Sequence, residues 1–184
     1  MTDRAPPDET SLREAALNYL ARYATTESGL RLVLRRRIER WAREATDIED
    51  AAGLATAAMA HIPGIVTRMV ELGLLNDTVF AETRAKGLAL GGRSRRAIAT
   101  RLMAKGISPD LARTALPEDA ADELVSALIL ARKRRIGPFR LAPEGDANKE
   151  MGVMARAGFP RDVAARALEM EPETAEDLVR AARA

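Results

Sequence analysis

The sequence predicts an all-α chain of tandem three-helix repeats forming an elongated, curved body. Three observations carry this. Among 184 residues there are 36 Ala, 21 Leu and 7 Met against 8 Val and 8 Ile, so strong helix formers far outnumber β-branched residues. Apolar side chains recur at three- and four-residue spacing along most of the chain. A segment also repeats: Gly106-Ile107-Ser108-Pro109-Asp110-Leu111-Ala112-Arg113-Thr114-Ala115-Leu116 aligns without a gap on Gly158-Phe159-Pro160-Arg161-Asp162-Val163-Ala164-Ala165-Arg166-Ala167-Leu168. Each copy places a helix-ending glycine, one apolar residue and then a short helix, and units of this kind stack in a line.

Taken in order, residues 1–10 are polar, carry Pro6-Pro7 and are expected to be flexible. Ser11 and Glu14 have capping-box spacing and are expected to open a first helix with Leu12, Ala16, Tyr19 and Leu20 inside. A second helix spans about Glu27 to Glu44. Its stripe of Leu30, Leu34, Ile38 and Trp41 faces inward, and Arg31, Arg35 and Arg36 point away from it. Residues 46–60 form an Ala-rich insertion. Pro63 starts a helix that Gly73 ends, with Ile65, Val66 and Met69 inside. A helix from Asp77 to about Leu88 carries Val79, Phe80, Thr83 and Leu88, and Gly91-Gly92 then breaks the chain. Ser94 to Ala104 is a short basic helix with Ile98 and Leu102 inward, stopped by Gly106. Ser108 and Pro109 are an N-cap and first-position pair, and Pro117 ends that helix. Glu118 to Arg135 follows with Leu124, Leu128 and Ala131 inside. A loop from Gly137 to Gly145 leads to two more helices, and Glu173 to Ala184 to a weak terminal one. The resulting organisation is 1–10 flexible, 11–75 repeat 1, 76–117 repeat 2, 118–170 repeat 3 and 171–184 tail.

Composition excludes several chemistries. The chain has no Cys and one His, His61, which removes disulfides, Cys-ligated metals and multi-histidine sites. No cofactor or metal is expected. Gly87 to Ser94 imitates a phosphate-binding loop, but Arg93 stands where Lys is needed and the preceding residues look helical rather than extended. No serine lies in a nucleophile elbow. Paired acids such as Asp122-Glu123 fall at helix starts, where the dipole favours them. These residues offer no catalytic set, so the chain reads as a non-enzyme. No apolar stretch reaches membrane-spanning length and the first residues carry no signal-like apolar run, so the cytoplasm is the expected location.

Net charge is only +2, yet its distribution is uneven. Between Arg84 and Lys105 there are seven basic residues and no acid. Arg22 to Arg43 carries seven Arg against two Glu, and Arg132-Lys133-Arg134-Arg135 adds a third block. From Glu144 to the end, acids outnumber bases nine to six. Basic blocks ahead of an acidic tail suggest a surface that faces a polyanion.

Four strings resemble the RecX family of bacterial regulators of the RecA recombinase. They are Ala16-Leu17-Asn18-Tyr19-Leu20-Ala21-Arg22; Leu30-Arg31 with Leu34 and Arg36; Gly73-Leu74-Leu75-Asn76-Asp77 with Phe80-Ala81-Glu82; and Gly92-Arg93 with Arg95-Arg96 and Ile98, continued by Leu102 and Lys105-Gly106-Ile107-Ser108. That family's architecture is tandem three-helix repeats. The resemblance implies a monomeric modulator that lodges in the groove of the RecA–single-stranded-DNA filament and inhibits ATP turnover, strand exchange and co-protease function. Arg31, Arg35, Arg36, Arg93, Arg95, Arg96, Arg101, Lys105, Arg132, Lys133 and Arg135 are then the candidate residues facing filament and DNA. Arg supplies five fixed donors that bind phosphate or carboxylate in pairs. Tyr19, Tyr23 and Trp41 are expected in the core, which argues against base stacking. Contacts to single- or double-stranded DNA would therefore run through phosphates, with steep salt dependence. The alternative is a general helical DNA-binding protein using helix 94–104, which carries Arg but no Asn or Gln for base readout.

Overall fold

The computed structural model describes residues 5–116, 120–141 and 145–182, and among these every regular element is helical. The chain divides into two compact units, the first ending at Phe80 and the second beginning at Ala81. Pro117, expected to end a helix, and part of the loop approaching Gly145 lie outside the described residues.

Unit 1 contains α1 (Glu9–Leu20), α2 (Glu27–Glu44), α3 (Ala51–Ala60), α4 (Ile62–Glu71) and the first residues of α5 (Asp77–Ala89). The stripe of α2 is its spine: Leu30, Leu34 and Ile38 are fully buried and Trp41 nearly so. Leu12 and Ala16 of α1 and Ile62, Ile65, Val66 and Met69 of α4 close the same core. Each such aliphatic side chain contributes roughly 1.5–3 kcal/mol through water exclusion. Two local expectations change. The capping box of α1 is made by Asp8: its carboxylate accepts from Ser11 N at 2.8 Å and Ser11 Oγ accepts from Asp8 N at 3.1 Å. Ser11 is thus the third residue of the helix, not its cap. Tyr23 is exposed and stacks obliquely on half-buried Tyr19, ring centres 5.1 Å apart. His61 sits at the α3–α4 junction with Nδ1 3.7 Å from the Glu9 carboxylate.

Two side-chain acceptors fix the start of α5, and one of them ties it to α2. Asn76 Oδ1 accepts from Val79 N at 3.0 Å and so caps its own helix. Asp77 Oδ1 reaches back to accept from Glu27 N at 2.9 Å. It satisfies an amide of the α2 N-terminus that helix geometry leaves without an internal partner. Burial pushes the Asp77 carboxyl above its ordinary value, against the pull of that hydrogen bond.

Unit 2 contains the rest of α5, then α6 (Arg95–Met103), α7 (Pro109–Thr114), α8 (Ala120–Arg134), a 3-10 turn (Gly137–Phe139), α9 (Ala147–Arg156), α10 (Arg161–Glu169) and α11 (Pro172–Ala181). On α5 the buried residues are Ala81 and Ala85, while Val79 is exposed. The inward face is the small-residue one; Phe80 and Leu88 are half-buried beside it, and Thr83 is exposed. α10 packs on α8, α9 and the 3-10 turn, and α11 packs on α8. Leu124, Leu128 and Ala131 of α8, Met154 of α9, Phe159 and Val163 form the centre of this core, to which Ala175 and Val179 of α11 also belong. The expected weak terminal helix is a core element.

The 52-residue repeat has a common geometry. Gly106 and Gly158 adopt φ of 84° and 87°, the left-handed region that glycine enters without penalty. Ile107 N donates to Leu102 O and Phe159 N to Met154 O, both at 3.2 Å. Gly106 N donates to Met103 O and Gly158 N to Ala155 O, both at 2.9 Å. These paired bonds are the Schellman closure of a helix end. The apolar residue after each glycine, Ile107 or Phe159, is then turned into the core. At the end of α8 the same closure is made around Arg135, whose φ is 55°.

The 3-10 turn is locked from α9. The Arg140 guanidinium grips the Glu150 carboxylate through Nε at 2.6 Å and Nη2 at 2.5 Å, and Glu150 also accepts from Gly137 N at 3.1 Å. Glu150 is buried. The Arg140 hydrogen bonds hold its carboxyl below the ordinary glutamate value of 4.5, and they raise Arg140 in turn.

Candidate functional site

The basic block around α6 begins at the end of α5. Gly92 has φ of 78°, and a Cβ there would stand 3.0 Å from Leu130 N and 3.1 Å from Ile129 Cγ2 of α8. The turn is therefore pressed against α8 as only glycine permits. Lys133 of α8 clamps it further by donating to Gly91 O at 2.7 Å. Gly87 belongs to α5, so the string that imitates a phosphate loop is a helix end rather than a strand followed by a cradle.

Ser94 then opens α6. Its hydroxyl accepts from Ala97 N at 3.2 Å as the N-cap, and donates to Ala157 O at the end of α9 at 2.7 Å. The side chain is fully buried. Arg95 N donates to Glu123 Oε1 of α8 at 3.1 Å. One residue thus serves two helix termini, supplying an acceptor to α6 and a donor to α9. Ile98 and Leu102 bury the inner face of α6. Arg96 and Arg101 are exposed on the helix, Arg93 is exposed just before it, and Arg95 is half-buried. Lys105 is exposed beyond the last turn.

The eleven candidate residues fall into three groups. Arg31, Arg35 and Arg36 lie on α2 in unit 1, where Arg31 Nη2 pairs with Glu27 at 2.9 Å and Arg35 and Arg36 are exposed. Arg93, Arg95, Arg96, Arg101 and Lys105 surround α6 in unit 2. Arg132, Lys133 and Arg135 lie at the end of α8, and Lys133's bond to Gly91 brings this group beside the α5–α6 turn. Arg132 pairs with Glu176 of α11 at 3.1 Å. Arg31, Arg132 and Lys133 therefore serve contacts within their own units. Arg93, Arg96 and Arg101 form no ion pair among the described residues. Exposed guanidiniums of this kind offer paired donors to an incoming phosphate or carboxylate. Sequence reasoning missed Ser94 and Glu123 as the residues that aim α6. The Ser at the start of a helix was a visible cap signal, but its second partner lies 63 positions away.

Comparison with known proteins agrees with this architecture. A family model described as "RecX, second three-helix domain" matches residues 76–116. A Myxococcus xanthus protein named regulatory protein RecX is 37% identical over 169 residues, covering 89% of this chain and 87% of its own length. The chain belongs to the RecX family. A second RecX relative, from Agrobacterium fabrum, is 33% identical over 169 residues and covers 91% of this chain and 86% of its own. The crystal structure of RecX from Lactobacillus salivarius superposes with a TM-score of 0.63 at 20% identity, covering 98% of this chain and 99% of that one. At that identity it speaks for the fold, which this RecX chain shares along almost its whole length. Among the described residues, no helix is long and apolar enough to cross a membrane.

Proposed function

We propose that this RecX-family chain is a non-catalytic, monomeric, cytoplasmic regulator that binds the RecA–single-stranded-DNA filament and restrains its ATPase, strand-exchange and co-protease activities. The observation that carries the reading is α6. Its N-terminus is fastened through Ser94 and Arg95, while Arg93, Arg96 and Arg101 present charge outside any ion pair among the described residues. A helix whose start is fastened and whose guanidiniums are uncommitted suits an extended polyanionic partner, because their paired donors are offered without first breaking an internal ion pair. In this reading Arg93, Arg95, Arg96, Arg101 and Lys105 make the principal contacts. Arg35, Arg36 and Arg135 add to them, and Arg31, Arg132 and Lys133 contribute when their internal partners are exchanged. DNA contacts run to phosphates, since α6 offers no Asn or Gln to base edges.

The test is RecA ATP hydrolysis on single-stranded DNA, with and without this protein, across a salt series. Inhibition that weakens steeply as salt rises is the expected result. Unchanged hydrolysis at every salt concentration would overturn the reading. Tight binding to one bare duplex sequence, with no effect on the filament, would favour a general DNA-binding protein.

A further inference from the structure

We infer that the nucleic-acid surface runs off α6 onto the α9–α10 corner, where Arg156 and Arg161 join Arg96 in holding the phosphodiester backbone of DNA. This rests on the functional reading just given and extends it to residues outside the three basic blocks. The Ser94–Ala157 hydrogen bond of 2.7 Å ties the start of α6 to the end of α9. A Cβ on Gly158 would lie 3.8 Å from both Cβ and Cδ of Arg96, so the Arg96 side chain runs directly over the corner. Arg156 stands two residues before Gly158 and Arg161 three residues after, and both are exposed. The place of Gly152 leaves room for the Arg156 head: a Cβ there would come within 3.2 Å of Nη1.

The charge of this corner is not spent internally. Arg31, Arg68, Arg113, Arg132, Arg140 and Arg180 each pair with a carboxylate. Arg96, Arg156 and Arg161 pair with none among the described residues. Asp162, exposed in the first turn of α10, and Glu123, which accepts from Arg95 N, are the acids set against Arg96, Arg156 and Arg161, which leaves an excess of positive charge. Phe159 is buried, so no ring is offered to a base. Exposed guanidiniums around a corner with no exposed aromatic match a sugar–phosphate backbone better than a protein interface, whose centre is typically apolar.

The experiment uses the full chain with Arg156→Glu/Arg161→Glu, a neutral Arg156→Gln/Arg161→Gln version, and Arg93→Glu/Arg96→Glu as the comparison. Helical content and melting are checked first, and the neutral pair carries the test if the reversal misfolds. Binding of a labelled oligothymidylate, without recombinase, is titrated over salt. Loss of two phosphate contacts from a single strand should flatten the slope of log K against log salt by about 1.4, at ~0.7 per contact. The corner variants should show that change and weaker binding at low salt. If they bind like the parent while the α6 variant weakens, the corner is overturned and the α6 reading stands. If neither variant weakens oligonucleotide binding and both inhibit the filament like the parent, both readings fall. If oligonucleotide binding is intact but filament inhibition is lost, the corner faces protein, and the assignment to DNA is overturned.

Discussion

Gly158 carries three demands in one residue. Its φ of 87° is left-handed, its amide closes α9, and a Cβ there would stand 2.9 Å from the buried Ser94 Oγ. Gly158→Val is expected to cost ~2 kcal/mol or more, read as a lower urea midpoint at unchanged slope. Ser94→Ala removes a cap and a tertiary hydrogen bond and should cost about 1–2 kcal/mol in the same assay. Gly106 and Gly158 were legible in the sequence because the surrounding residues repeat the closure: each is followed by an apolar residue and a short helix. The contact between Gly158 and Ser94 was not legible, since no local pattern joins residues so far apart. Tyr23 misleads for a related reason. It lies just past the end of α1, and its ring packs on Tyr19 rather than between helices.

At the scale of elements, helical period and glycine stops located most of the helices, because α2, α6 and α8 each have an unbroken apolar stripe ending in a closure or cap. The face of α5 was harder to read. Two alanines, Ala81 and Ala85, are buried there in place of larger residues. Two carboxylates give the helices opposite responses to acid. Glu150 has a folded value below 4.5, so its stabilisation is complete above that value and is lost as pH falls through the lower folded one. Glu150→Gln should cost about 1–2 kcal/mol near neutrality, moderated by the partial exposure of Arg140, and should flatten the acid limb of the melting profile. Asp77 has a folded value above 3.8, so its contribution is complete below 3.8 and is lost as pH rises through the folded value. Asp77→Asn keeps an oxygen for Glu27 N and should remove that fall, measured by melting over the same pH series.

Across the whole molecule the feature that matters for function is how charge is allotted. Net charge is only +2, so no bulk attraction to polyanions is built in. The effect must come from local sets, of which the block between Arg84 and Lys105 has the largest excess of bases over acids. Reversing Arg93, Arg95 and Arg96 together to Glu is expected to abolish most filament inhibition while leaving the helical circular-dichroism signal in place. The basic blocks themselves were plain in the sequence. Which members are already occupied was not, because Arg132, Arg31 and Lys133 find their partners through side-chain geometry.

The anchoring of α6 also bears on how the protein can be dissected. The stretch from 76 to 116 is recognisable as a module, and excising it would look reasonable. Yet Glu123 and the Ala157 carbonyl, which complete the start of α6, both lie downstream of that cut. A truncated piece would keep every arginine of the block and lose the two contacts that orient them, so its failure to act would say nothing about the arginines.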